Sequence, residues 1–171
     1  ARRVFDMSIE RGMNLVDTAN VYGDGTSETL TGQWVKQKRD KVLVATKCRF
    51  PLGTGEGIVP GPHDQGLSRK HILSACEASL KRLGTDYIDL YQLHWPSRNA
   101  PIFGQKEFDP ELERESVAIE ATLSVLDSLV KEGKIRHIGV SNETPWGVSE
   151  FIKHAERQQQ ARIISIQNPY H

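Results

Sequence analysis

Short apolar runs alternate with helical stripes along the whole chain, and this alternation constrains the fold more than any other feature. Residues from about 1 to 11 place Val4, Phe5, Ser8 and Ile9 on one helical face, with Gly12 as a left-handed stop. Asn14-Leu15-Val16-Asp17 then reads as a strand. A second helical stripe carries Leu30, Trp34 and Val35 between about Ser27 and Lys38. Val42-Leu43-Val44-Ala45-Thr46 is a β-rich run, continuous enough to be buried on both faces. Ser68 is placed to cap a third helix bearing Ile72, Leu73, Cys76, Leu80 and Leu83, with Gly84 behind it. Tyr87 to Leu93 is the next strand. A fourth helix carries Ile119, Leu123, Leu126, Leu129 and Val130 and stops at Gly133. Ile135 to Val140 is a strand, Thr144-Pro145 opens a fifth helix through Phe151, Ile152 and Ala155, and Arg162 to Gln167 is a final strand.

Five strands and five helices in strict alternation predict right-handed βαβ units on a parallel sheet, one α/β domain over residues 1–171. Two parallel folds compete. A doubly wound nucleotide-binding sheet opens with a strand, a glycine-rich turn and a helix. Gly53-x-Gly55-x-Gly57 has the wrong spacing and no helix directly after it. The (β/α)8 barrel is the rival, and it places reactive side chains at the C-terminal ends of its strands.

The strand ends favour the barrel. The first strand ends at Asp17, the second runs into Lys47 and the third into His94. The fourth runs into Ser141-Asn142 and the fifth into Gln167-Asn168. Taken singly, an Asp after a strand is a turn residue or helix cap, a Lys is solvated and a His is a hydrogen-bonded core residue. Turn chemistry does not require Asp, Lys and His at the ends of successive strands. In a barrel these five ends share one face and one pocket. Two long segments, from about Arg49 to Leu67 and from about Trp95 to Arg114, are loops long enough to cover it.

The bulk properties exclude several classes of partner. Lys plus Arg and Asp plus Glu are both 22, so there is no basic field for nucleic acid. The apolar stretches are only a few residues, too short to span a bilayer as a helix. Cys48 and Cys76 are far apart and fit no metal or redox spacing, and no metal is expected. A reducing, cytoplasmic setting is the expectation, with an organelle left open because a transit peptide would have preceded Ala1.

The strand-end residues suit one chemistry. A phenol has a pKa of roughly 10, high for a proton donor near neutral pH. A neighbouring cation lowers such a value by about 1–3. Lys47 is the cation for Tyr22, Asp17 holds Lys47 charged, and His94 orients a carbonyl oxygen by hydrogen bonding. Such a set protonates an oxygen while a hydride reaches the carbon.

Asp17-Thr18-Ala19-Asn20-Val21-Tyr22-Gly23 resembles the D-T-A-x-x-Y-G signature of the aldo-keto reductases. Ala45-Thr46-Lys47, Ser79 to Leu90, Leu93-His94-Trp95-Pro96, Gly133-Lys134-Ile135-Arg136 and Gly139-Val140-Ser141-Asn142 match its later motifs in order, so the resemblance covers essentially the whole chain. Gln92 to Pro96, Ser141 to Thr144 and the ending Ile166 to Tyr170 lean toward the bacterial Tas-like reductases and their plant relatives. The resemblance implies a (β/α)8 barrel that binds NADPH without a Rossmann motif and reduces aldehydes or ketones. It implies a catalytic tetrad of Asp17, Tyr22, Lys47 and His94, with Tyr22 as general acid. Ser141, Asn142 and Gln167 fall where the family grips the nicotinamide carboxamide, and Trp95 falls at a wall of the substrate pocket.

A full barrel has eight strands and about 250 residues, whereas about five of the eight units are legible here. By family order the first strand would precede Ala1 and the last two would follow His171, together with most of the cofactor's phosphate contacts. An open arc leaves strand edges and an apolar interior uncovered, so the isolated chain is expected to be unstable or inactive. Two rival functions follow from the same resemblance: a binding or regulatory protein like the potassium-channel β-subunits, and a non-catalytic truncated remnant.

Overall fold

A computed structural model describes residues 2–53, 61, 63–101 and 107–169. Gly55, Gly57 and Tyr170, used in the reading above, lie outside the described residues. The elements run α1 (Arg2–Glu10), β1 (Leu15–Asp17), α2 (Thr26–Val35), β2 (Leu43–Cys48), α3 (Arg69–Leu83), β3 (Ile88–Leu93), α4 (Ile119–Lys131), β4 (Ile135–Ser141), α5 (Pro145–Gln158) and β5 (Ile163–Gln167), with short 3-10 turns at Arg39–Lys41 and Pro110–Leu112. The five strands form one parallel sheet in chain order.

Local chemistry sets the helix ends where the sequence places them. The Ser68 hydroxyl accepts from the His71 amide at 3.2 Å, and Thr144 accepts from Gly147 at 3.1 Å with Pro145 in the first turn. Gly84 ends α3 in the left-handed region at φ 64°, where a Cβ would be strained.

The sheet is curled into part of a barrel, and one contact shows how strongly. Neighbouring strands lie about 4.8 Å apart, so β1 and β5 would be roughly 19 Å apart in a flat sheet. Yet Gln167 Nε2 on β5 donates to Asp17 Oδ2 on β1 at 3.3 Å. The two edge strands therefore lean toward each other across the concave face. Side chains alternate between that interior face and the helices. Tyr91, Leu93, Ile138 and Val140 point outward into a core shared with Ile72, Leu83, Leu123, Leu126 and Phe151. These five strand–helix units are an incomplete (β/α)8 barrel.

Two helices depart from the expected stripes. Val4 of α1 is 67% exposed, and Phe5 alone is buried, against Trp34 at 5.6 Å between ring centroids. In α2, Leu30 is exposed while Glu28, Thr31, Gly32 and Val35 are buried. The reason is a close crossing with α3: a Cβ on Gly32 would lie 2.2 Å from the Leu83 carbonyl oxygen. Only small or paired polar residues fit at that contact, so hydrophobicity misjudges the face.

Glu28 is wholly buried at this crossing. Its carboxylate accepts from Thr46 Oγ1 at 2.5 Å and from Arg82 Nε at 2.6 Å, joining β2, α2 and α3. At the other end of the strands, buried Asp89 accepts from the Val44 amide and pairs with Arg39 and Arg136, whose guanidiniums lie over the Tyr87 ring at 3.9 Å each. Leu15 and Leu43 remain exposed on the edge of the sheet beside β1, as do Ile164 and Ile166 on β5. No helix among the described residues is long and apolar enough to cross a membrane.

Candidate active site

The C-terminal strand ends converge. Asp17 closes β1, Lys47 is the penultimate residue of β2, His94 follows β3, Ser141 closes β4 and Gln167 closes β5. Lys47 is 1% exposed, opposite to the solvated lysine expected of an isolated strand end. A buried ammonium needs charge and hydrogen-bond partners. Lys47 Nζ donates to Asp17 Oδ2 at 2.5 Å and to the Thr18 carbonyl at 3.1 Å.

Asp17 is the hub of the interior. Its other oxygen, Oδ1, accepts from Gln92 Nε2 at 3.1 Å, and Gln167 reaches Oδ2 as described. Gln92 was not among the sequence candidates. It stands beside Lys47 in the strand register and shares its face, and its signal was a lone amide inside an apolar run.

Tyr22 sits on the turn between β1 and α2 and is 41% exposed. Lys47 Nζ lies 5.2 Å from its ring centroid. The His94 ring meets Tyr22 edge-on at 5.6 Å. Trp95 stacks on His94 at 5.5 Å, and Phe50 presents its edge to both rings, 5.2 Å from His94 and 5.7 Å from Trp95. Phe50 was also missed by sequence reading. Asn20 holds it in place by donating to its carbonyl at 2.9 Å. The four tetrad candidates and Trp95 therefore form one contiguous cluster.

Burial and the Lys47 cation push the His94 imidazole down to about 4, with Asp17 opposing and Arg49 reinforcing the shift. At neutral pH the ring is uncharged, a neutral hydrogen-bonding partner. Unfolded, the same imidazole binds its proton near 6.5. Between those two values the unfolded state holds more protons. The stabilisation from burying neutral His94 is thus full above about pH 6.5 and is lost as pH falls toward 4. In a proton NMR titration, the His94 Hε1 signal should stay flat from pH 8 to about 5.5. A midpoint near 6.5 would contradict the burial argument.

The fourth and fifth strand ends are tied to the third. Ser141 Oγ donates to the Gln167 carbonyl at 2.9 Å. Asn142 adopts a left-handed φ of 53° and donates from Nδ2 to the His94 carbonyl at 3.0 Å. Neither the Asn142 nor the Gln167 amide oxygen accepts a hydrogen bond among the described residues, although both amide nitrogens donate. Asn168 clasps the Glu143 backbone on both sides, at 3.1 and 2.9 Å. Buried Glu143 in turn pairs with Arg98 of the loop after β3, and the Arg98 guanidinium lies 5.0 Å from the Trp146 ring. Glu143 and Arg98 carried no sequence signal, because 45 residues separate them.

Comparison with known proteins agrees with this architecture. The model of the aldo/keto reductase family matches residues 1–171. Protein tas of Escherichia coli is 39% identical over 180 residues, covering 99% of this chain and 51% of that protein. Aldo-keto reductase YhdN of Bacillus subtilis is 37% identical over 165 residues, covering 95% of this chain and 41% of that one. The crystal structure of the thermostable aldo-keto reductase Tm1743, in complex with the inhibitor epalrestat, superposes with a TM-score of 0.71 at 32% identity, over 99% of this chain and 49% of that chain. The chain spans about half the length of these relatives. With the family model matching from end to end, the chain belongs to the aldo/keto reductase family.

Proposed function

We propose that the protein carrying this chain reduces aldehydes or ketones to alcohols with NADPH, and that Tyr22 donates the proton. The observation that carries this reading is the buried Lys47–Asp17 pair lying beneath the Tyr22 ring. As Tyr22 gives up its proton, the phenol oxygen becomes negative. A fixed ammonium nearby, held charged by Asp17, stabilises that developing charge and needs no solvent reorganisation to do so. Neutral His94 and the half-exposed Tyr22 flank the place where a carbonyl oxygen accepts both hydrogen bonds. Phe50 and Trp95 wall the same space with apolar surface and exclude water around His94.

A nicotinamide cofactor supplies the hydride when bound. Asn142 and Gln167 fit its carboxamide, with Ser141 bonded to both: their two amide oxygens accept from an NH2, and the second N–H of the Gln167 amide donates to a carbonyl oxygen. Their hydrogen bonds to Asp17 and to the His94 carbonyl link the cofactor grip to the proton-donating cluster.

The test follows NADPH absorbance in the whole protein that contains this segment, against a panel of aldehydes. Turnover is expected, and no oxidation with any of them counts against the reading. Lys47→Met should slow kcat by at least about 10²-fold. Retention of near-full activity by this variant would show that the buried ammonium is structural only.

A further inference from the structure

Two arginines lie beside the catalytic cluster without a hydrogen bond to Asp17, Tyr22, Lys47 or His94 among the described residues. Arg49 directly follows β2, and Arg114 lies in the loop after β3. Each is anchored by the same atom to successive carbonyls of that loop: Arg49 Nε donates to Pro96 at 3.2 Å, and Arg114 Nε donates to Ser97 at 3.3 Å. Their remaining guanidinium nitrogens meet no acceptor, and neither forms an ion pair, among the described residues. Both line an open cavity of about 400 Å³, together with Gln65, Ser68, Ser97 and Ser116. Among the described residues of the wall Glu115 is the one carboxylate, and no ion pair joins it to either arginine.

Two like charges on one wall, neither of them paired with a carboxylate among the described residues, are unfavourable unless something else brings negative charge. Burial and the Arg114 cation hold the Arg49 guanidinium below the usual arginine range. Arg49 also holds an unusual φ of 149° for a residue with a side chain. A guanidinium pinned through Nε keeps its outer edge free, and that edge matches the spacing of two oxygens on a carboxylate or phosphate. The surrounding hydroxyls and the Gln65 amide are neutral donors suited to the remaining oxygens.

We propose that Arg49 and Arg114 form an anion-binding site for the carboxylate or phosphate group of a small molecule, on the shoulder of the catalytic cleft. The site shares its supporting loop with His94 and Trp95. An anion bridging the two arginines would clamp that loop next to Phe50, whose ring lies 4.9 Å from the Arg49 guanidinium. It would also offset the Arg49 charge that acts on His94.

The direct test is isothermal titration of inorganic phosphate into the whole protein containing this segment. It is run at low ionic strength, with saturating NADP⁺ occupying the cofactor's own phosphate contacts. Saturable binding is expected, weakened at least tenfold in Arg114→Gln. Arg114 is exposed, so this variant keeps the fold even if Arg49→Gln does not; Arg49→Lys supplies the second measurement and should also weaken binding. Absence of saturable binding, or an isotherm unchanged in Arg114→Gln, overturns the site.

A kinetic arm, which rests on the reductase reading, separates the two sources of the anion. Benzaldehyde is compared with 4-carboxybenzaldehyde. A KM for the carboxylated aldehyde that rises at least tenfold relative to the neutral one in Arg114→Gln assigns the site to the substrate's own acidic group. An unchanged ratio alongside lost phosphate binding assigns it to a separate anion. Failure of both aldehydes to turn over counts against the reductase reading and leaves the phosphate isotherm to decide the site.

Discussion

Replacing Tyr22 by Phe should lower kcat by about 10²–10⁴ while leaving KM and stability nearly unchanged. The substitution removes one oxygen from a side chain that is 41% exposed, so no buried hydrogen bond is lost and no cavity forms. The ring stays to meet His94 edge-on and to lie over Lys47. What disappears is the only proton of this side chain that can be transferred. The measurement is NADPH consumption in the whole protein, with circular dichroism and a melting curve as controls on folding. A Phe variant that keeps full turnover removes Tyr22 as the acid. A variant that loses turnover together with its fold would shift the explanation to packing, and the 41% exposure argues against that outcome.

Arg82→Met should destabilise the fold by about 3–5 kcal/mol. Arg82 is the charged partner of Glu28, whose carboxylate is wholly buried between β2, α2 and α3. Methionine keeps much of the side-chain volume but supplies no positive charge. Glu28 would then remain in the interior with only the Thr46 hydroxyl as a donor. Urea denaturation of the whole protein reads the loss. Arg162→Met is the reference: Arg162 and its partner Glu156 are both exposed, so its removal should cost no more than about 0.5 kcal/mol. A loss below about 1 kcal/mol in Arg82→Met would show that Glu28 finds another partner or takes up a proton. The pair also matters for the site. Thr46 precedes Lys47, and α2 begins four residues after Tyr22, so Glu28 ties together the segments that carry Lys47 and Tyr22.

Much of the fold was legible because its signals are local. Ser68 and Thr144 cap helices with their own hydroxyls, and the runs Val42 to Thr46 and Tyr87 to Leu93 announce the strands observed at Leu43–Cys48 and Ile88–Leu93. Legibility failed in α2, where Leu30 faces solvent and Glu28 is buried. The α2–α3 crossing at Gly32 decides that face, and no window of sequence contains both helices.

The candidate site divides along the same line. The order of Asp17, Tyr22, Lys47 and His94 along the chain, each at or just beyond a strand end, determined that they would share a face in a parallel barrel. Strand direction and period two are enough for that conclusion. Sequence alone did not determine that Lys47 is buried rather than solvated, that Gln92 and Gln167 both reach Asp17, or that Arg98 closes on Glu143. Those contacts depend on how far the sheet curls, which brings β5 to β1 across what a flat sheet would hold roughly 19 Å apart. The placement of Arg49 and Arg114 is of the same kind. Sixty-five residues of chain separate Arg49 from Arg114, and only the packing of two loops against each other places both guanidiniums on one cavity wall.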